Sequence, residues 1–299
     1  MIEAPGPLAA ARTVVVPHGT PGQVGEVLKA AGVISNADAF RIAASLGLAG
    51  RMHAAELAFP EHASLRQVFA VLRSAKPVQH KITIPEGLTA IQIGKLLAKG
   101  ETLTGDLVTP PEGAVLPQTY AYDYGATRAS VVERATAAMQ RTLAQAWATK
   151  AEKLPIATPL ELETIASLVE RETARPEERS HIAGVLYNRL RKNMRLQSDP
   201  SVVYAVSNGA GTLEHPLTRA DLDIASPYNT YRVNGLPPGP IASPGVASIQ
   251  AAAQPDVTED LYYVADGTGG HAFARTLEDH QKNVARWRAL NPNAPALLP

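Results

Sequence analysis

The chain contains no cysteine. Disulfides, thiolate nucleophiles and cysteine zinc sites are therefore excluded. It also has no net charge, with 28 Lys+Arg balanced by 28 Asp+Glu. That balance argues against a general electrostatic grip on nucleic acid, which needs a basic face. Aromatic residues make up only 5%, a poor basis for base stacking. No run of about 18 apolar residues occurs, so no segment reads as a bilayer-spanning helix. The opening "MIEAPGPLAAARTVVV" lacks the charged and apolar regions of a signal peptide, and residues 1–12 read as a linker remnant. What is present is 299 residues, 45% of them hydrophobic, enough for a core and for two domains.

The first third carries an internal echo. "VVVPHGTPGQVGEVLKAAG" (Val14–Gly32) is a β-branched run, a Pro-x-Gly turn and a short amphipathic helix. "ITIPEGLTAIQIGKLLAKG" (Ile82–Gly100) repeats the design, and a weaker copy, "LAFPEHASLRQVFAVL" (Leu57–Leu72), lies between them. β-branched residues favour strand, the turn residues stop it, and a helical period then takes over. The unit reads either as a small binding module or as a packing unit without a ligand. A Pro-, Gly- and Tyr-rich stretch from Gly105 to Thr127 marks a composition break. It divides an N-terminal module (13–106) from a larger domain (107–299).

Helices are expected at about Ser130–Lys150, Pro159–Ala174 and Glu177–Asn193. Thr158-Pro159-Leu160-Glu161 supplies an N-cap, a proline in the first turn and an acidic residue. Pro176 restricts Arg175 before it and closes the second helix. Loops follow, then a short helix at Ser248–Ala253, a hairpin in "LYYVADGTGGHAFA" and a last helix in "TLEDHQKNVARWRAL".

One position in the second helix breaks its own pattern. Ile165, Leu168 and Val169 mark an apolar stripe, and the next place on that stripe is Glu172. Glu170 and Arg171 fall off the stripe and read as solvated. A carboxylate enters an apolar face when it is paired or functional. Glu172 also stands near the helix C-terminus, where the macrodipole disfavours negative charge. Both effects raise its pKa, as a general acid at neutral pH requires. The competing reading is a structural bridge to Arg189 or Arg195. Asp199, in "LQSDPS", is the candidate for a second carboxylate of the kind glycosidases use, or else a plain Asp-Pro turn starter. Tyr228, Asn229 and Tyr231 sit on stiff, proline-fixed loops that suit a sugar chain or simply pack as turns.

Other constellations are weak. "GTGG" lacks a following Lys-Ser/Thr and reads as a hairpin turn. The eight histidines contain no His-Glu-x-x-His, and His271 with His280 is a poor metal pair. Ser198 and Ser243 have no evident base beside them. No metal and no cofactor are expected.

Taken together, "IASLVERETARPEERSHIAGVLYNRL", "MRLQSDPSVVYA", "LTRADL", "SPYNTYRVNGLPPGPIASPG" and "LYYVADGTGGHAF" closely resemble the endolytic murein transglycosylase (YceG-like) family, in order and spacing from about Leu160 to Asn283. The N-terminal units resemble that family's LysM-like region more loosely. The resemblance implies an α+β chain, a small LysM-like strand/helix module followed by a helix-rich α+β lytic transglycosylase catalytic domain. It implies internal cleavage of nascent peptidoglycan strands between N-acetylmuramic acid and N-acetylglucosamine, leaving 1,6-anhydro ends. It places the catalytic role on the second glutamate of Glu170-Arg171-Glu172-Thr173, which is Glu172. One glutamate suffices because the muramyl 6-hydroxyl, rather than water, attacks. The same resemblance implies that Asn188, Gln197, Asp199, Tyr228, Asn229 and Tyr231 bind substrate around Glu172. It also implies an N-terminal membrane anchor outside this sequence, the periplasmic face of the inner membrane, and peptidoglycan synthases as partners. A non-catalytic cell-wall scaffold and a water-using muramidase are the alternatives.

Overall fold

The structure is a computed structural model, and it describes residues 2–291. In chain order the elements are β1 (Arg12–Val15), α1 (Pro21–Ala30), α2 (Ala37–Ala43), β2 (Glu56–Phe59), α3 (Leu65–Ser74), β3 (Gln79–Thr83), α4 (Ala90–Ala98) and β4 (Thr119–Asp123). There follow α5 (Arg128–Ala148), α6 (Pro159–Glu172), α7 (Arg179–Arg191), α8 (Asp199–Val206), α9 (Arg219–Leu222), α10 (Val246–Ala253), β5 (Tyr262–Ala265), β6 (His271–Ala274) and α11 (Leu277–Leu290). The strands pair β1 with β2, β3 with β4 and β5 with β6. The class is mixed α+β.

Two compact units divide the chain, and the division is not a single cut near residue 106. The first holds Met1–Ile82, Glu101–Thr104 and Ala121–Thr127; the second holds Thr83–Gly100, Gly105–Tyr120 and everything from Arg128. The internal echo is real at the level of local structure. In all three copies a strand leads into a helix closed by the same capping box: Thr20 with Gln23, Ser64 with Gln67, Thr89 with Gln92. Each box satisfies two backbone donors that a helix start leaves orphaned. Residues 2–11 do not behave as a linker. Leu8 is buried, and Gly6 N donates to His62 O (3.0 Å) while His62 N donates to Leu8 O (2.7 Å). The apolar and backbone groups of this segment complete the first unit's core around Phe40, Phe59 and Phe69.

The second unit is built around α6. Every residue from Leu162 to Val169 is buried, as expected of a helix enclosed on all sides rather than laid on a surface. It packs against α5, α7, α8 and α10. The alanine-rich α10 lets a neighbour approach closely. Ser167, buried among these helices, satisfies its hydroxyl by donating to Thr164 O (2.8 Å) and accepting from Ile241 N (3.1 Å). On α7, a Cβ at Gly184 would stand 2.6 Å from Asp256 O, so only glycine fits. Tyr187 OH, also buried on α7, donates to Ala252 O (2.8 Å).

Helix α6 ends two residues short of the expected Ala174. Thr173 takes extended backbone (φ −139°, ψ 138°). Its hydroxyl accepts from Arg175 N (3.0 Å) and donates to Glu178 Oε2 (3.0 Å), so the side chain stabilises the turn instead of another helical residue. Glu172 is thereby the last residue of the helix.

Candidate active site

Glu172 is partly buried and forms part of the wall of two clefts, each of about 340 Å³. One is aromatic, lined by Tyr231, Tyr262 and Tyr263 together with Arg189, Gln197 and Asp199. The other is charged, lined by Glu86, Glu170, Arg171 and Arg179.

One hydroxyl is hydrogen-bonded to the Glu172 carboxylate: Ser198 Oγ donates to Oε1 at 2.5 Å. The Tyr263 hydroxyl of β5 faces the same carboxyl group and favours its ionised form. Ser198 is itself fixed. Its backbone N donates to Thr230 Oγ1 (2.9 Å), Thr230 Oγ1 meets Ser201 Oγ (2.7 Å), and Ser201 Oγ donates to Ser198 O (2.7 Å). A closed hydroxyl network of this kind leaves Ser198 little freedom to turn away. Burial pushes the Glu172 carboxyl up to about 7; the Ser198 bond opposes this, the nearby Asp199 carboxylate adds to it, and the Tyr263 hydroxyl and Arg189 oppose it more weakly. The group is thus poised to carry a proton near neutral pH and to be stabilised once it has released it.

The structural-bridge reading fails. Arg189 spends its donors on carbonyls, with Nε to Leu261 O (2.6 Å) and Nη1 to Arg195 O (3.1 Å) and Leu196 O (2.9 Å), and also on Gln197 Oε1 (3.2 Å). Arg195 Nη1 donates to Tyr231 O (3.1 Å). Neither arginine forms an ion pair with Glu172.

Of the expected site residues, Gln197, Asp199 and Tyr231 share the aromatic cleft with Glu172. Gln197 occupies the left-handed region (φ 51°), which turns the chain into Ser198 and Asp199 at the start of α8. Tyr231 OH donates to Asp199 Oδ1 (2.6 Å), and burial raises the Asp199 carboxyl despite that bond. The other three lie outside this wall. Asn188 Nδ2 donates to Thr258 O (2.8 Å) and Asp260 O (3.0 Å) and so ties α7 to the strand that follows. Asn229 is fully buried, with Nδ2 donating to Leu222 O and Ile224 O (both 2.9 Å). Tyr228 packs its ring on Tyr204 at 4.8 Å. Amides that looked available for a sugar are consumed by backbone carbonyls.

Glu170 is not solvated, with its side chain only 7% exposed, whereas Arg171 is exposed as expected but still bonded to the backbone. Glu170 Oε2 accepts from Gly245 N (2.9 Å), and Arg171 donates to Gly87 O (3.1 Å) and Gly211 O (3.3 Å). The Glu170 side of α6 is covered, so that charge found a partner inside the fold.

The hairpin β5–β6 forms one wall of the aromatic cleft and is anchored from the α6–α7 turn. Arg175 donates to Gly269 O (3.0 Å) and Thr268 O (2.7 Å), and Glu178 accepts from His271 N (2.9 Å). The turn is the expected one, with Gly267 and Gly269 at φ 84° and 90°. His271 and His280 do meet in the same cleft. His271 Nδ1 contacts Glu178 Oε2 (2.7 Å), while His280 stacks on Tyr262 at 5.2 Å and leaves a buried Nδ1 without a partner. Burial and Arg189 lower the His280 pKa, which keeps it neutral beside Arg189.

A mixed α+β chain with a raised carboxyl at a helix end, facing an aromatic hairpin, is the class this geometry defines. Residues 14–286 match the model of the YceG-like family, and the chain belongs to that family. It is 34% identical over 236 residues to the endolytic murein transglycosylase of Bacillus subtilis and 36% identical over 250 residues to that of Streptococcus pneumoniae D39. Each match covers 77% of this chain but only 64% and 44% of the respective relative. The crystal structure of a YceG-like protein from Listeria monocytogenes superposes with a TM-score of 0.58 at 29% identity, over 92% of this chain and 99% of that one. Among the described residues no helix is long and apolar enough to cross a membrane.

Proposed function

We propose that this chain is a lytic endotransglycosylase that cleaves murein glycan strands internally, with Glu172 as its only proton-transfer group. The observation that carries the reading is the state of Glu172: a carboxyl raised to about 7, held by the Ser198 hydroxyl and open to two clefts. In the first half-step the protonated carboxyl delivers its proton to the glycosidic oxygen between N-acetylmuramic acid and N-acetylglucosamine, and the bond to the anomeric carbon breaks. In the second half-step the Glu172 carboxylate takes the proton of the muramyl 6-hydroxyl as that oxygen attacks the anomeric carbon. The product is a 1,6-anhydro end, and the proton is back on Glu172. Ser198 and Tyr263 favour the carboxylate between the half-steps. Asp199, oriented by Tyr231, supplies negative potential where positive charge develops at the anomeric carbon.

Asp199 in the same cleft also favours a second reading, a muramidase that uses water. Mass spectrometry of the products separates the two: 1,6-anhydro ends support the transglycosylase, reducing ends the muramidase, and no cleavage a scaffold. The family resemblance adds to this proposal a LysM-like role for the first unit, a periplasmic location at the inner membrane, and recruitment by peptidoglycan synthases.

A further inference from the structure

The two clefts that share Glu172 differ in chemistry. The aromatic cleft suits sugar rings. The charged one holds two cations and two anions beside Glu172, and their hydrogen bonding is uneven. Arg171 is committed to Gly87 and Gly211 carbonyls, and one oxygen of Glu170 to Gly245 N. Arg179, the first residue of α7, is held only by two long ion pairs. Its side chain is 11% exposed, yet Nη2 stands 3.7 Å from Glu86 Oε2 and 3.6 Å from Glu170 Oε1, beyond hydrogen-bond range. Its Nε has no partner at all. Glu86 is the open member of the group, with a side chain 46% exposed. Its other oxygen lies against Gly245, where an added Cβ would collide with it.

A guanidinium taken out of water with donors unspent is costly. The arrangement makes chemical sense if a ligand completes it. A loosely paired cation with a spare donor beside an open carboxylate fits a molecule that carries both a carboxylate and an ammonium group. Murein supplies one next to the bond being cut. Each muramyl residue bears, through its lactyl ether, a short peptide with free carboxylates and an amine on its diamino acid.

We propose that the charged cleft receives this peptide stem, with a stem carboxylate on Arg179 and the stem ammonium on Glu86. The assignment rests on the glycan-cleaving reading above and extends it. The enzyme would then be selective for stem-bearing strands, with selectivity set by a cleft separate from the sugar-binding one.

The test uses the full chain and three forms of uncrosslinked glycan strand: stem-bearing, stem-bearing with its amines acetylated, and stripped of stems by an amidase. The readout is kcat/KM from new chain ends. Wild type is expected to prefer stem-bearing over stripped strands and to lose part of that preference on acetylation. Arg179→Gln should cut the ratio of stem-bearing to stripped about tenfold or more, the size of a lost charge-assisted hydrogen bond. Glu86→Gln, at a more exposed position less prone to fold loss, should remove the sensitivity to acetylation. Three results would overturn the proposal. One is a wild type that does not discriminate between the strands. Another is Arg179→Gln slowing stripped and stem-bearing strands by the same factor, which would place Arg179 on the lactyl carboxylate exposed by stripping, or in the fold. The third is Glu86→Gln remaining as sensitive to acetylation as wild type. Failure of wild type to cut any strand would instead bring down the glycan-cleaving reading, and this proposal with it.

Discussion

Glu163 and Glu172 occupy the same helix, one near the start of α6 and one at its last residue, and both carboxyls are pushed up to about 7. They reach that value by different routes. For Glu163, burial acts first, the neighbouring Glu112 carboxylate adds to it, and nothing opposes them. Its Oε1 is buried with no partner, and a Cβ on Gly113, itself at φ +76°, would stand 2.5 Å from that oxygen. For Glu172, burial is countered by Ser198, Tyr263 and Arg189, and the group lines two clefts. Glu163 lines neither. A raised pKa is therefore not what distinguishes the acid that can work. A catalytic carboxyl needs access to a substrate oxygen and donors that favour its ionised form between proton transfers. Glu163 lacks both.

The largest effect should come from removing that distinction at Glu172. Glu172→Gln keeps the shape but cannot deliver a proton. On the proposed mechanism, in which the residue serves both half-steps, product formation should fall toward the upper end of the roughly 10²–10⁴-fold range for general acid–base catalysis. The variant should stay folded, since no arginine among the described residues pairs with Glu172 and would be left stranded, and above about pH 7 its melting temperature should rise rather than fall, because a carboxyl raised to about 7 is removed. Melting and chain-end formation measured on one sample decide it. Full folding with near-wild-type cleavage would remove Glu172 from the chemistry.

A smaller effect is expected at Ser198. Ser198→Ala deletes a donor to the ionised carboxylate, so the Glu172 pKa rises further. The alkaline limb of the pH–rate profile, which reports loss of the protonated acid, should move to higher pH. On the proposed mechanism the acid half-step, which forms the carboxylate, loses that stabilisation, and kcat should fall about tenfold or somewhat more, as for a lost hydrogen bond to a charged group. An unmoved limb with unchanged kcat would show that the 2.5 Å contact has no part in tuning Glu172.

The difference between the two glutamates also explains what could be read from the sequence. Glu172 was visible because it interrupts an apolar stripe at a helix end. Glu163 was not, because an acid near a helix N-terminus is the ordinary dipole-favoured pattern, and only the close approach of Gly113 to its carboxyl makes it unusual. Ser198 gave no signal: its partner is far away in sequence and meets it only in the fold. Asn188 and Asn229 misled for the opposite reason. Their amides suit N-acetyl sugars, but a sequence does not reveal that loop carbonyls will claim the donors first. Helix starts were legible at Thr158 because capping is local chemistry. The burial of Glu170 was not, because a one-stripe pattern cannot show that a second face is covered.

The smallest catalytic effect and the sharpest test of the comparison belong to Glu163. Glu163→Gln should leave cleavage within about two- to threefold of wild type, the range of a change that does not touch general acid–base chemistry. Its effect should appear in stability, and with a definite sign. The folded-state pKa of about 7 lies above the ordinary 4.5, so the folded protein binds this proton more tightly than the unfolded chain does. Below about pH 4.5 both states are protonated and no penalty exists. As pH rises from there to about 7 the unfolded state ionises first, stability falls, and above about 7 the full cost of a buried, unpartnered carboxylate is present. That cost is about 3 kcal/mol at most, by the energy equivalent of the shift. Gln cannot ionise, so the variant should melt higher than wild type at pH 8, by several degrees on the usual scaling. At pH 4, where Glu163 is protonated in both states, the advantage should vanish. Glu172 keeps its own share of the same pH dependence, so the slope should shrink without disappearing. Melting curves of both proteins at pH 4 and pH 8 are sufficient. A variant that melts lower than wild type at pH 8 would mean that the Glu163 carboxylate is held by a compensating partner, and the contrast with Glu172 would collapse.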